Sequence, residues 1–378
     1  MNNKDKSCRI KKTSIGGQAL MEGIMMRGPQ WTAMAVRNTK KEIVVEKFPT
    51  ESKKKPKFFK WPIIRGVFSY IDSMTMGTKC LMRSAEISGL EDAEQEYKLE
   101  KQAKKAAKAN GTTVEEELEK LKAEADIKSE IKTEGSEGSE SPENDGNKPK
   151  KESSGMMNGV MFFSVLLGIV FSVFLFIIVP SYLYKLLILL FPTLKFDNNL
   201  AIQSLIKSVF EGVLKIAILV GYMALVSLMK DIRRTFMFHG AEHKTIFCYE
   251  MGLELTVENV RKQKRFHPRC GTSFLILMLL VGIFVSFFID PLFLLIFGYL
   301  PQTIIRVIIK LALLPIIVGV GYELIKIAGR HDNLLTRIIS APGVWLQHVT
   351  VLEPTDDMIE CAITAVKEVI PDNDSDKW

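Results

Sequence analysis

Cysteine and histidine are scarce in this chain, and their scarcity excludes some classes of protein. The 378 residues include only five of each. The cysteines are odd in number and scattered, which argues for a reducing compartment and against a disulfide framework. The first thirty residues also lack the basic start, the apolar run and the small-residue cleavage site of a signal peptide. We therefore expect a fold that disulfides do not hold together.

Long apolar runs are nearly absent before residue 155, and charge-dense sequence is nearly absent after it. Residues 1–90 are predicted to form a small α+β region, in which "TAMAVRN" and "EIVVEKF" indicate a hairpin of two strands. Apolar residues then recur at helical spacing from Ile64 to Ala85. Charged residues interrupt this helix, so it is predicted to lie on a membrane surface or in a core rather than to cross a bilayer.

Residues 91–154 differ in composition from the rest of the chain. Lysine, glutamate and alanine dominate the first part, which suits an exposed helix. The low-complexity stretch "TEGSEGSESPENDGNKPKKESSG" follows and predicts disorder. We interpret the whole segment as a spacer without chemistry.

Four apolar stretches follow, and the first of them, with 25 residues, is long enough to cross a hydrocarbon core about 30 Å thick. They are Met156–Pro180, Gln203–Met229, Ser273–Ile289 and Ile304–Ala328. The fourth carries four charged residues and a proline, and a buried helix or hairpin is the alternative there. The predicted fold class is membrane α-helical. Four transmembrane helices occupy residues 155–330, between a small cytoplasmic α+β N-terminal region and a soluble helical C-terminal tail at residues 331–378.

Lysine and arginine in the loops predict the orientation of these helices, because basic loops stay in the cytoplasm. Residues 230–272 contain nine of them, residues 181–202 contain two, and residues 290–303 contain none. The prediction is a multi-pass cell-membrane protein with both termini and the 230–272 loop in the cytoplasm. The net charge of +7 is then a signal of topology, so a nucleic-acid partner is not expected and the lipid bilayer is.

The segment "FMFHGAEHKTIFCYE" places two of the five histidines four residues apart. On a helix, His239 and His243 share one face, and their ring nitrogens can reach one tetrahedral Zn²⁺. Glu242 completes the pattern H-x-x-E-H, an inverted zinc-peptidase motif in which the glutamate is the general base. The alternative is a pair of surface histidines on an interfacial helix that binds phosphate or nothing.

Four further residues are candidates for the same site. His267 and Cys270 lie three residues apart in "RFHPRCGTS", directly before the third span, and can converge with the histidine pair. Glu323 lies in the cytoplasmic half of the fourth span, where a carboxylate needs a partner, either a metal or a neighbouring basic residue. Glu22 can reach the same surface, although a salt bridge with Arg27 is the favoured alternative.

Several segments together resemble the YqhQ family of bacterial membrane proteins. They are "GGQALMEGIMMRGP", "FHGAEHKTI", "RFHPRCGTSF", "GYELIKIAGR" and "PGVWLQHVTVLEPTDDMIECAI". The resemblance covers nearly the whole chain outside residues 91–154. It implies a multi-spanning inner-membrane protein, a metal site and a metal-dependent enzyme. The matching segments contain His239, Glu242, His243, His267, Cys270 and Glu323.

Two functional hypotheses remain open at this point. The first is a zinc-type hydrolase at the cytoplasmic membrane face that acts on a membrane peptide or a lipid headgroup. Here His239 and His243 bind the metal, Glu242 takes the proton from the bound water, and the third ligand is either Glu323 or His267. The second is a non-enzymatic scaffold with a structural zinc held by His239, His243, His267 and Cys270. Four protein ligands close a zinc site and three leave a position open for water. A transporter is disfavoured, because few ionisable residues lie within the spans.

Overall fold

The computed structural model describes residues 11–50, 56, 59, 61–89, 101–104, 106–107, 113–120, 154–192, 200–331 and 333–377. By its contacts the chain divides into two units, Met1–Ser88 with Gly168–Trp378, and Gly89–Leu167. The second unit includes helical residues 114–120. Of the low-complexity stretch predicted to be disordered, residues 133–153 lie outside the described residues, and its last two residues begin a helix.

The named elements are four strands followed by helices. The strands are β1 (Gly16–Leu20), β2 (Gly23–Arg27), β3 (Trp31–Arg37) and β4 (Ile43–Pro49). The helices are α1 (Ile64–Ile87), α2 (Ser154–Val173), α3 (Val179–Leu190), α4 (Leu200–Val226), α5 (Lys230–Glu250), α6 (Val257–Arg261), α7 (Gly271–Phe297), α8 (Thr303–Arg330), α9 (Leu334–Thr350) and α10 (Asp356–Lys367). A π-helical turn, Phe174–Ile178, joins α2 to α3.

The strands form one antiparallel sheet in the order β1-β2-β3-β4. The β3–β4 pair confirms the predicted hairpin, with Trp31 opposite Pro49. The β1–β2 pair lies in the glycine-rich segment before it. A close approach explains one of these glycines, because a Cβ on Gly23 would lie 2.4 Å from the carbonyl oxygen of Ala35.

Helices cover both faces of the sheet. Successive side chains of a strand point to opposite faces, so apolar residues of the same strand pack against different helices. On one face, Met25 and Met34 pack against Cys80 of α1. On the other face, Ile24 and Met26 belong to a cluster with residues of α5 and α10. One side of α1 therefore lies in the core, which is one of the two alternatives predicted for this helix. On the other face of the sheet, α10 packs the C-terminal tail onto the N-terminal region.

Four helices are long and apolar enough to cross a membrane, which confirms the predicted membrane-helical class. They are Phe163–Leu190, Ile202–Val226, Gly271–Phe297 and Thr303–Arg330. Two predicted boundaries were wrong. The first span continues past Pro180, because the proline closely follows the π-helical turn Phe174–Ile178 and the chain stays helical to Leu190. The third span continues past Asp290 and Pro291 to Phe297.

The charge that seemed to end the third span is buried and paired. Asp290 accepts hydrogen bonds from Arg306 of α8, at 2.9 and 2.6 Å, and from Ser204 of α4 at 2.9 Å. In the same region Glu211 accepts from Ser181 at 2.9 Å and lies 3.3 Å from the ammonium nitrogen of Lys310. The spans therefore contain more partnered polar side chains than the sequence pattern indicated.

Residues 230–272 are largely helical rather than a loop. α5 begins after Met229, and Phe238 and Ala241 are buried in the cluster beneath the sheet. The C-terminal tail is also less polar than predicted for a soluble segment. α9 packs along α7 and exposes large apolar side chains, namely Leu334, Leu335, Ile338 and Trp345. A helix with such an apolar face suits the membrane interface.

Candidate metal centre

The histidine pair lies on α5, in which residues 240–246 are all buried. The rings of His239 and His243, one turn apart on α5, have centroids 4.5 Å apart. Cys270 joins them as the N-cap residue of α7. One ligand atom from each of the three residues lies within 4.8 Å of the other two. Among the described residues, these three form the group that can hold a metal ion.

Backbone carbonyls orient both imidazoles. His239 Nδ1 lies 3.0 Å from the carbonyl oxygen of Thr350, and His243 Nδ1 lies 2.5 Å from that of Arg265. A carbonyl oxygen only accepts, so each Nδ1 carries the proton and donates it. Each Nε2 is then the atom presented to the centre, as is usual for metal-binding histidines whose other nitrogen is held by a carbonyl.

The donor atoms at the centre fit a divalent metal. His243 is only 2% exposed, and its Nε2 atom has no hydrogen-bond partner among the described residues. A buried polar atom without a partner is costly, and a metal ion would satisfy it. His239 Nε2 lies 3.0 Å from the sulfur of Cys270. Two imidazoles and one thiolate form a donor set typical of zinc.

Electrostatics favour the thiolate that a metal requires. Burial opposes ionisation of the Cys270 thiol, but the imidazoles of His239 and His243 outweigh it and hold the pKa of the thiol well below its usual value. Burial likewise disfavours charge on His239, yet the cysteine sulfur and the Glu242 carboxylate raise the pKa of His239 to about 9. Without a metal, the two groups therefore stabilise each other as a thiolate and an imidazolium.

Glu242 lies beside the three ligands with one oxygen anchored and one directed at the histidines. Its Oε1 atom accepts a hydrogen bond of 3.0 Å from the backbone N–H of Gly17. Its Oε2 atom lies 3.8 Å from His239 Nε2 and 3.9 Å from His243 Nε2. A side chain does not fit at this glycine, because a Cβ there would lie 2.7 Å from the backbone oxygen of Met25 and 2.8 Å from Cγ of Glu242.

The structure does not bring the other predicted ligands to this group. Glu323 forms a two-pronged ion pair with Arg65 of α1, so its partner is a basic residue rather than the metal group, but one that is distant in the sequence and not a neighbour. His267 is buried near His243, but its Nε2 atom lies 3.7 Å from Glu250. Burial lowers the pKa of His267 more than that carboxylate raises it. The four-ligand site with His267 is therefore not the observed arrangement.

The expected salt bridge of Glu22 is also different. Glu22 pairs with Arg234 of α5 through two contacts of 2.5 Å and not with Arg27. This pair ties the turn between β1 and β2 to the helix that carries the histidines. The backbone of Glu22 has a φ of 50° in that turn.

Two adjoining cavities give access to the centre. The inner cavity, about 80 Å³, is lined by His243, Cys270 and Glu242, among others. The outer cavity, about 340 Å³, shares Glu242 and Cys270 with it and extends past Arg27 to Ser73 of α1. Sequence reasoning missed Gly17 and Arg27 as parts of this site. Their only signal was the glycine-rich segment "GGQALMEGIMMRGP", in which both occur.

Comparisons with known proteins identify the family of the chain and leave its chemistry open. A family described as "Protein of unknown function (DUF1385)" matches residues 61–372. The chain is 32% identical over 365 residues to "Uncharacterized protein YqhQ" of Bacillus subtilis (strain 168), which covers 94% of this chain and 92% of that protein. No solved structure matches the chain. The predicted resemblance to YqhQ is thus confirmed, and the chain belongs to the DUF1385 family.

Proposed function

We propose that this protein is a metal-dependent hydrolase of the cell membrane, with its centre at the cytoplasmic ends of the spans. One observation carries the proposal. The buried Nε2 atom of His243 has no hydrogen-bond partner among the described residues, and it lies beside the Cys270 sulfur and the Oε2 atom of Glu242. His239, His243 and Cys270 would hold the metal. A zinc ion bound there would polarise a carbonyl or phosphoryl oxygen and acidify water.

Glu242 supplies the base in this proposal. Its Oε1 atom is held by Gly17, so the carboxylate cannot rotate freely, and its Oε2 atom faces the ligand group and lines both cavities. A water molecule in the inner cavity can give its proton to Oε2. Proton transfer of this kind typically contributes 10²–10⁴-fold in rate.

The proposed cytoplasmic location rests on the basic residues around the centre. α5 and α6, with the turn that leads to α7, carry all nine basic residues of 230–272. A reporter fused after Glu250 should therefore be active only inside the cell, and one fused after Gln302 only outside. An external signal from the Glu250 fusion would refute this part of the proposal.

A structural zinc site is the second candidate, and the position of Glu242 is what favours it. With Oε2 at 3.8 and 3.9 Å from the two Nε2 atoms, a small shift would make the carboxylate a fourth ligand and close the site. His267 has no part in this version, because it is turned toward Glu250.

Glu242→Gln separates the two candidates. In the hydrolase, the variant should keep its zinc and lose complementation of a strain that lacks the gene, because the base is gone and the three ligands remain. In the structural site, it should lose zinc affinity as His243→Ala does. Zinc content of the purified proteins and the visible spectra of their cobalt forms measure this directly. Glu258→Gln, an exposed carboxylate paired with Lys262, is the matched control and should change neither property.

A further inference from the structure

Among the described residues that line the outer cavity, one cation has no partner. Arg27, at the end of β2, is half-buried and lines this cavity together with Glu242 and Cys270. No hydrogen bond or ion pair joins its guanidinium to any of the described residues. In the sheet Arg27 lies opposite Gly16, and the space where a Cβ of Gly16 would stand is open to 4 Å. The N–H donors of the guanidinium are therefore not used by the described residues, and there is space next to them for a ligand.

The other cation of the cavity is already in use. Arg269 donates to the backbone oxygen of Thr13 at 2.8 Å and forms an ion pair with Glu250. The carboxylate of the cavity, Glu242, is held by Gly17 and directed at the histidines. The partnerless charge in this cavity is thus positive, and it belongs to Arg27.

An oxyanion is the ligand that suits this position. A guanidinium presents its N–H donors in a planar fork that fits phosphate or carboxylate oxygens in pairs. Gly271, the first residue of α7, lines the same cavity, and the positive end of a long helix adds favourable potential for an anion. The cavity volume of about 340 Å³ is at the lower end of the range for small-molecule sites.

We propose that Arg27 binds a phosphate group of the substrate and so places the neighbouring ester bond at Glu242 and the metal ligands. This inference rests on the proposed hydrolase function for its catalytic meaning, but the phosphate subsite itself does not require it. The substrate is then an anionic phosphate ester, either a phospholipid headgroup or a soluble organic phosphate. Arg27 acts as a specificity-determining residue that binds and positions, without taking part in proton transfer.

Calorimetric titration of the purified protein with inorganic phosphate tests the subsite, with and without zinc. Arg27→Met should weaken phosphate binding by about 10- to 100-fold, the range expected for losing a charged hydrogen-bonding partner. Arg27→Lys should retain part of the affinity, because it keeps the charge and loses the fork. The matched control is Arg37→Met. Arg37 lies on the same sheet but donates to Glu360 and to the carbonyl of Lys41, so its loss should leave phosphate binding unchanged.

Phosphate titration of the protein in lipid nanodiscs distinguishes the two possible sources of the phosphate group, a phospholipid headgroup and a soluble phosphate ester. If the ligand is a phospholipid headgroup, phosphatidylglycerol nanodiscs in screening salt should weaken phosphate binding by wild type relative to micelles of a maltoside detergent, which contains no phosphate. Equal binding in both would indicate a soluble phosphate ester. Equal phosphate affinity of wild type, Arg27→Met and Arg27→Lys would overturn the proposal. The two proposals fail separately. Full complementation by Glu242→Gln ends the hydrolase, whereas the phosphate subsite is ended by absent phosphate binding in wild type or by unchanged binding in the Arg27 variants.

Discussion

The buried ion pair between two membrane spans offers a quantitative test of the structure. Asp290 and Arg306 have side chains only 5% and 10% exposed, and both carboxylate oxygens accept from the guanidinium, with Ser204 as a third donor. Asp290→Ala would leave a buried guanidinium without its counter-charge. We expect this change to destabilise the protein by about 3–5 kcal/mol, the usual cost of breaking such a pair.

Removing both charges should be much less harmful than removing one. A buried pair replaced by well-packed apolar residues of similar volume is often neutral or even stabilising. The double variant Asp290→Leu with Arg306→Met should therefore be more stable than Asp290→Ala or Arg306→Met alone. The two substitutions touch each other, so their effects should be strongly non-additive.

Unfolding by SDS in mixed micelles, followed by helix content, measures these differences. Asp356→Ala is the control, since it breaks a pair with Arg261 in which both side chains are more than half exposed, and it should change stability little. The reasoning is refuted if Asp290→Ala unfolds at the same SDS fraction as wild type. It is refuted as well if the double variant loses the sum of the two single losses.

Three further predictions concern the centre and its surroundings. Gly17→Ala should abolish complementation, because the new Cβ would lie 2.7 Å from the backbone oxygen of Met25 and 2.8 Å from Cγ of Glu242, so the β1–β2 pairing and the carboxylate must both shift; full complementation by this variant would contradict the role of Glu242 as the base. Glu323→Gln should leave zinc content unchanged, since Glu323 pairs with Arg65 and lies outside the ligand group; metal analysis beside wild type decides this. Asp376→Asn should make the free energy of unfolding depend less on pH in the acidic range. Burial raises the pKa of Asp376, but hydrogen bonds from Thr13, Lys11 and Tyr249 outweigh burial and hold the folded pKa below its usual value. The stability that this gives the wild type is present above the unfolded pKa and is lost as pH falls through the folded pKa. Thermal unfolding of both proteins between neutral and acidic pH checks it, and parallel curves would show that Asp376 contributes no such gain.

Local sequence patterns predicted the elements that depend on short-range chemistry. The four spans are recognisable because the length and apolar content of a segment decide alone whether it can cross a bilayer. The β3–β4 hairpin is recognisable because strand period and turn residues lie within about twenty residues. The pairing of His239 with His243, and the place of Glu242 beside them, follow from the pitch of one helix. The ends of the spans were missed at Pro180 and Asp290, where a π-helical turn and a partner on another helix remove the expected break.

Tertiary structure decides which residues outside α5 join the candidate centre. His267 and Cys270 are three residues apart and equally suited to zinc by type, yet only Cys270, at the start of α7, reaches the histidine pair. The carbonyl of Thr350, which sets the tautomer of His239, comes from more than a hundred residues away and carries no sequence signal. Likewise, Glu22 pairs with distant Arg234 instead of Arg27, which leaves that guanidinium without a partner among the described residues in the outer cavity. Periodicity and composition report what a segment can form by itself. Which ligands converge, and which charge lacks a partner, depends on how the segments pack together.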